Sequence, residues 1–304
     1  MGSAMRYIIN GQQAFGKSVL EKMLERGDNV VAVFCAPDKG SRADPLKEFA
    51  LEKGLPVHQP ASYKTEEARE LVASYEPDLG VMAFVTLFVP EEILYLPKHD
   101  TIQYHPSLLP LHRGPSSINW PIVQGSTKTG LSIFWPDNGL DEGPILMQKE
   151  CEITPDDTLG TVYFDKLFPM GVDAMIESID LVKEGKAPRI EQDHSKSTYE
   201  SWFKKDLAEI DWSKPVDEVY NLIRGTNPAP GAWTTLGGKK IDIFDSAKVG
   251  GDAGKPGTVT DTTDEGFLVA ADGGQILVKR VRPEGEGKIA ANEFSIDKGA
   301  KLGS

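Results

Sequence analysis

The sequence predicts an α/β protein: a Rossmann-like, mostly parallel sheet with helices on both faces, followed by a small C-terminal OB-like β-barrel. Apolar, strand-like runs alternate with helical patterns through about two hundred N-terminal residues. Those runs are almost continuously apolar, as strands buried on both faces are. From Ile210 onward the character changes to short, closely spaced strands separated by Gly-rich turns, the pattern of a small barrel.

Taken in order, Ile8-Ile9 opens the sheet and leads to a helix over Lys17–Glu25, and Val30–Phe34 leads to a helix over Leu46–Lys53. Leu79–Phe84, Thr101–Tyr104 and Leu131–Trp135 supply further strands, with Gly and Pro at the junctions. Leu167–Glu184 carries Phe168, Val172, Met175, Ile176 and Ile179 at helical spacing and reads as a long amphipathic helix closing this unit. Gly185–Thr198 is polar and aperiodic, the composition of a linker. A helix over Pro215–Arg224 then precedes strands at Ala232–Leu236, Lys240–Phe244, Thr258–Thr260, Gly266–Ala270 and Gln275–Val281. The expected organisation is a first domain over 5–190, a linker over 191–205 and a barrel over 206–304. Met1-Gly2-Ser3-Ala4 reads as a vector-derived scar, and Lys301-Leu302-Gly303-Ser304 has the same look.

The bulk numbers exclude several classes. With 304 residues, 39% hydrophobic and 26% charged, the composition is that of an ordinary globular chain. No apolar run approaches the roughly 20 residues of a membrane helix, and no secretory leader is visible. Two cysteines, Cys35 and Cys151, cannot staple a chain of this size, so they read as reduced core thiols of a cytoplasmic protein. Five histidines and two separated cysteines offer no zinc spacing. A formal net charge of −13 argues against a nucleic-acid partner.

Gly11-Gln12-Gln13-Ala14-Phe15-Gly16-Lys17-Ser18 matches the phosphate-cradling pattern G-x-x-x-x-G-K-[ST]. The rest of the chain does not support it. The four residues between the glycines include no third glycine, and no apolar strand ends in a magnesium-binding Asp, Leu131–Asp137 being interrupted by Pro136. Lys17 is better read as a solvated residue in the first turn of a helix. The pair Gly11 and Gly16 is no dinucleotide fingerprint either, so neither ATP, NAD nor a metal is expected.

The chemistry lies further on, in Gln103-Tyr104-His105-Pro106-Ser107-Leu108-Leu109-Pro110-Leu111-His112-Arg113-Gly114. At a strand end, Gln103 and His105 point to one side and Tyr104 to the other, while Pro106 and Pro110 stop the strand and stiffen the loop. An amide and an imidazole thus project together, although a hydrogen-bonded structural histidine fits the same residues. Asp137-Asn138-Gly139-Leu140-Asp141-Glu142-Gly143-Pro144 follows the next strand, and its two glycines permit tight turns that aim a carboxylate back at the strand ends. Turn formation or capping by Asp137 and Asp141 is the alternative for either residue alone. Together, an imidazole and a carboxylate are the usual pair for moving protons at neutral pH.

His105-Pro106-Ser107-Leu108-Leu109-Pro110, with Arg113-Gly114 after it and Gly139-Leu140-Asp141-Glu142-Gly143 thirty-odd residues on, resembles the folate-dependent formyltransferase superfamily. Ile210-Asp211-Trp212 and Ile223–Trp233 resemble the accessory barrel of its methionyl-tRNA formyltransferase branch, also present in the hydrolase part of 10-formyltetrahydrofolate dehydrogenase. Gly11 and Phe15 fit the superfamily's first turn. The resemblance implies 10-formyltetrahydrofolate as formyl donor, with His105 and Gln103 donating to the formyl oxygen and Asp141 orienting His105 and managing the proton. It implies a pterin slot from Phe84, Val85, Thr86, Leu87 and Phe88, with Pro136, Asp137, Asn138, Gly139 and Leu140 opposite. Ser107, Leu108, Leu109, Pro110, Arg113 and Gly114 complete the expected folate contacts.

Gln103 departs from the pattern, since transferases of the superfamily usually carry Asn there and the dehydrogenase's hydrolase part an apolar residue. The short loop Cys35–Leu46, Ser117–Trp120, Ile133–Trp135 and Gln148–Glu152 resemble the dehydrogenase branch, whereas the tRNA enzymes typically have a longer, more basic loop at the first of these. The implied activity is hydrolysis of 10-formyltetrahydrofolate to tetrahydrofolate and formate. Transfer to a small amine, an amino sugar or methionyl-tRNA is the alternative, and a folate-binding protein without turnover is the alternative from another class.

Overall fold

The structure, a computed structural model, describes residues 4–252 and 254–304, so all of the expected N-terminal scar except Ala4 lies outside the described residues. Seven strands form the main sheet: β1 (Arg6–Gly11), β2 (Asn29–Phe34), β3 (Val57–His58), β4 (Leu79–Ala83), β5 (Thr101–His105), β6 (Lys128–Phe134) and β7 (Ile145–Glu152), in the order β3-β2-β1-β4-β5-β6-β7. The first five are mutually parallel, and β6 runs antiparallel to β5. The apolar runs of β1, β2 and β4 are buried because helices cover them: Tyr7, Phe15, Phe34, Leu79 and Ile102 are almost fully buried, each worth about 1.5–3 kcal/mol of transfer free energy.

Helices begin where the sequence supplies caps. Pro45–Glu52 starts after Asp44, whose carboxylate accepts from the Leu46 N–H, with Pro45 at the first position. Glu66–Ser74 starts after Thr65, whose hydroxyl accepts from Ala68, and carries Glu66 and Glu67 in its first turn. The first helix spans Gln13–Glu25, and the long one spans Phe168–Lys183 behind a π-helical turn over Val162–Leu167. Gly171 lets this long helix approach the sheet: a Cβ there would meet the Tyr104 ring at 2.7 Å. Tyr104 in turn stacks on Phe15, with centroids 4.2 Å apart, so the face of β5 opposite Gln103 and His105 is pure packing.

The phosphate-loop match dissolves in this geometry. Gly11 ends β1, Gln12 is extended, and Gln13 already opens the helix, so no loop of backbone N–H groups exists to cradle a phosphate. Both glycines serve close helix–strand packing: a Cβ on Gly11 would sit 2.4 Å from the Ala83 carbonyl oxygen, and one on Gly16 would sit 3.1 Å from Leu46.

The C-terminal strands form two four-stranded antiparallel sheets. β8 (Ala232–Leu236), β9 (Lys239–Ile243), β10 (Ser246–Val249), β11 (Val259–Thr262), β12 (Phe267–Ala271), β13 (Gly274–Val278), β14 (Arg280–Pro283) and β15 (Ile289–Ala290) pair as β10-β13-β12-β11 and β15-β14-β9-β8. The strand expected over Gln275–Val281 is two strands, because Lys279 turns the chain from one sheet to the other. A helix over Val216–Gly225 contributes Val219, Tyr220 and Ile223 to the barrel core with Phe267, Val269 and Ile276. Lys301 and Leu302 pair with Thr258 and Leu236, and Leu302 is buried, so these residues belong to the folded unit rather than to a trailing scar.

Two compact units interleave along the chain. One comprises the residues up to Arg113, Gly130–Glu150 and Leu167–Tyr199; the other comprises Gly114–Thr129, Cys151–Lys166 and Glu200–Ser304. Two stretches of the expected first domain thus pack with the C-terminal part, and most of the expected linker packs in the first unit. Among the described residues no helix is long and apolar enough to cross a membrane. Cys35 is buried and Cys151 half-buried on β7, so only the former is a core thiol.

Candidate active site

Gln103 and His105 stand two residues apart on β5 and share a face, His105 buried and Gln103 half-buried. Opposite them in register are Phe134 and Ser132 of β6. Because β6 is antiparallel, the loop after it leaves the sheet beside Gln103, not beyond His105 as a parallel strand would have it. The loop therefore has to fold back for its carboxylate to reach the imidazole. It does so through Asp141, whose φ of +55° is left-handed, a conformation costing a non-glycine residue on the order of 1–3 kcal/mol. Asp141 Oδ2 ends 3.6 Å from His105 Nδ1, with both side chains largely shielded from water. The other imidazole nitrogen, Nε2, lies 2.9 Å from the His112 carbonyl oxygen, which can only accept; Nε2 is therefore the protonated donor and Nδ1 is the nitrogen that faces Asp141.

The loop after β5 is held from within the sheet. The Ser107 hydroxyl donates to Leu111 O at 2.7 Å, Ser132 donates to Ser107 O at 2.7 Å, and Leu109 N donates to Ser132 Oγ at 3.1 Å. Gln148 donates to Leu109 O and to Ser132, while Leu108 packs against Gly130. Pro106 and Pro110 are half-buried, and Ser107 and Leu109 are buried. These residues pin the backbone that presents the His112 carbonyl. Gly114 follows Arg113 with a φ of +96°, in the left-handed region that favours glycine.

After β4 the chain turns at once: Phe84 takes φ of +66° and is not part of the strand expected to include it. Phe84, Thr86 and Phe88 are exposed, and Val85 and Leu87 pack on the core between them. Asn138 joins the opposing loop to this one, accepting from Glu91 N at 3.2 Å and donating its own N–H to Glu91 Oε1 at 3.1 Å. Asp137 accepts from Gly139 N at 2.8 Å, which makes it the turn former. Pro136 is buried, and Leu140 is 52% exposed. Phe84, Phe88 and Leu140 are exposed large apolar side chains, and Lys64 Nζ lies over the Phe88 ring at 5.2 Å. A narrow apolar cavity in the core is lined by Met82, Val89, Ile93 and Leu94, with Asn10, Tyr63 and Thr101 as its polar groups, and a separate open groove is lined by Phe88, Pro90, Ile93 and Asn138.

Residues 5–179 match the family described as Formyl transferase, and residues 203–298 match Formyl transferase, C-terminal domain. The chain belongs to the formyl transferase family. It is 40% identical over 95% of its length to cytosolic 10-formyltetrahydrofolate dehydrogenase of Xenopus tropicalis, and spans about a third (34%) of that relative. It is 36% identical to methionyl-tRNA formyltransferase of Trichlorobacter lovleyi, covering 95% of this chain and 93% of the relative. In fold it matches HypX from Aquifex aeolicus, solved in complex with tetrahydrofolic acid, with TM-score 0.71 at 17% identity over 96% of this chain and 47% of that one. It also matches an N-formyltransferase from Helicobacter canadensis, solved with folinic acid and dTDP-3-aminofucose, with TM-score 0.68 at 19% identity over 90% and 98%.

One member of the site is invisible to sequence reasoning. Gln192, in the stretch read as a linker, is buried and donates to the carbonyls of Asp141 at 2.9 Å and Gly143 at 2.8 Å. Arg113 donates to it through Nε at 3.2 Å and Nη2 at 2.9 Å. A lone Gln in a polar, aperiodic segment carries no periodic or motif signal.

Proposed function

We propose that this chain takes 10-formyltetrahydrofolate as formyl donor and, with water as acceptor, releases tetrahydrofolate and formate. The observation that carries the reading is the shielded His105–Asp141 pair, 3.6 Å apart, on the strand face that Gln103 shares with His105. Similarity to the 10-formyltetrahydrofolate dehydrogenases along 95% of this chain supports it, as does the likeness in fold to proteins solved with tetrahydrofolic and folinic acids.

The pterin ring, flat and apolar with a polar edge, suits the exposed Phe84, Phe88 and Leu140 and the open groove that Phe88, Pro90 and Asn138 line, and would remove apolar side chains from water. As water attacks the formyl carbon, its proton passes to the Asp141 carboxylate and negative charge develops on the formyl oxygen. Gln103 Nε2–H donates to that oxygen, a donor worth about 2.7–4 kcal/mol in the transition state. His105, its Nε2–H held by the His112 carbonyl, turns Nδ1 toward Asp141 and accepts from the carboxyl once that holds the water's proton. The tetrahedral intermediate collapses as the C–N10 bond breaks, its electron pair stays on N10, and N10 takes the proton held by Asp141. Atoms and charge balance with one water consumed and one proton released as the formic acid ionises to formate.

A second reading is transfer to an amine. The match to methionyl-tRNA formyltransferase, which spans 93% of that relative, supports it, while Gln103 fits either acceptor. Tetrahydrofolate formation from 10-formyltetrahydrofolate, with no acceptor added, decides between them. Multiple turnovers that disappear in Asp141→Ala support hydrolysis. Folate binding without turnover, followed by turnover once an amine, amino sugar or charged tRNA is supplied, would replace hydrolysis by transfer.

A further inference from the structure

The stretch that reads as a linker ties the two loops of the site together. At its start the Pro188 carbonyl accepts from Trp135 Nε1 at 2.9 Å, and Ile190 pairs with Ile145, which fastens it to the loop that carries Asp141. At its end Thr198 accepts from Arg113 N at 2.9 Å and from His112 N through its hydroxyl at 2.8 Å, which fastens it to the loop that carries the His112 carbonyl. Gln192 lies midway.

The Gln192 amide is saturated. Both N–H bonds go to the carbonyls of Asp141 and Gly143, and Oε1 accepts twice from Arg113. Arg113 has only donors, so it decides which end of the amide faces it, and it is itself fixed by a bond to His194 Nδ1 at 2.8 Å. The carbonyls that receive the two N–H groups flank the left-handed Asp141 and the crowded Gly143, where a Cβ would lie 1.7 Å from the Trp135 carbonyl oxygen. A loop in this conformation relaxes unless its surroundings over-determine it.

We propose that Gln192, oriented by Arg113, is a positioning residue that holds the Asp141 carboxylate against His105. The inference rests on the formyl-donor reading for its kinetic test but not for its structural one. Gln192→Ala is expected to lower kcat roughly 10–100-fold, the scale of a small misplacement of a reacting group, with KM for the folate within about twofold. In an Asp141→Asn background the same substitution is expected to add nothing, because its effect passes through that carboxylate. Gln192→Glu keeps the size but sets an acceptor against two carbonyls, and should behave as Gln192→Ala does.

A lowered Tm with unchanged kcat, or equal losses with and without the Asp141 carboxylate, would make Gln192 merely structural and overturn the proposal. A crystal structure of Gln192→Ala reads the same question without turnover. Departure of Asp141 from its left-handed conformation and from His105 supports the proposal, and an unchanged separation overturns it. Should the wild type turn over neither alone nor with any acceptor supplied, the formyl-donor reading fails, and the crystal structure still decides the positioning role. Should Gln192→Ala not fold, Gln192→Glu is judged by the same measurements.

Discussion

At the scale of single residues, Gly143 and Asp157 show how backbone space and buried charge set what can change. A methyl group on Gly143 has no room beside the Trp135 carbonyl, and backbone cannot step aside as a flexible side chain can. Gly143→Ala is therefore expected to displace the Asp141 loop, lowering turnover at least 10-fold, a loss visible in kcat even if Tm falls by only a few degrees. Asp157, in the second unit, is a different case. Burial pushes its carboxyl up, but Lys166 Nζ at 2.6 Å, the Thr154 N–H and the hydroxyls of Thr161 and Thr154 outweigh it and hold the group down at about 2. The folded value lies below the unfolded one, so the stabilisation is complete above about pH 4 and disappears as pH falls through 2; its size is about 2 kcal/mol. Unfolding free energies of wild type and Asp157→Asn from urea titration should differ by about that amount at pH 7, by roughly half of it at pH 3, and converge only near pH 1. Equal gaps at all three pH values would remove the carboxylate as the cause.

At the scale of elements, the strands with unbroken apolar runs were legible because burial on both faces leaves no polar position to confuse the pattern: Val30–Phe34 and Leu131–Phe134 are the clear cases. The short β3, the strand β10 and the helix Glu66–Ser74 carry too few apolar residues to announce themselves. β7 does hold a signal, since Ile145–Glu152 alternates toward its end as a half-buried strand should. The first helix supplies a test of the phosphate-loop look-alike. Gly11→Ala forces a methyl to 2.4 Å from the Ala83 carbonyl oxygen and should cost about 1–3 kcal/mol in thermal or urea unfolding. Lys17→Ala removes a side chain whose ammonium lies 5.7 Å from the Phe49 ring centroid, and should change stability by less than about 0.5 kcal/mol with no loss of turnover. A large effect of Lys17→Ala on turnover would reopen the phosphate reading.

At the scale of the whole molecule, a net charge of −13 sets the long-range field. It disfavours approach of a polyanion, so the chain is expected not to shift tRNA in a native gel at about 150 mM salt, where counterion release no longer helps a weak basic patch. Retention of tRNA under those conditions would favour the transfer reading. The amino-acid order by itself determined the mostly parallel sheet, the barrel that follows it and the pairing of an imidazole with a carboxylate, because strand burial, turn residues and the short motifs around His105 and Asp141 are local properties. Only the tertiary structure decided that β6 runs antiparallel, that its loop folds back through a left-handed Asp141, and that Gln192 and Arg113 stand behind it. Those are contacts between residues distant in the chain, made by isolated polar side chains whose meaning appears only once packing has removed water from around them.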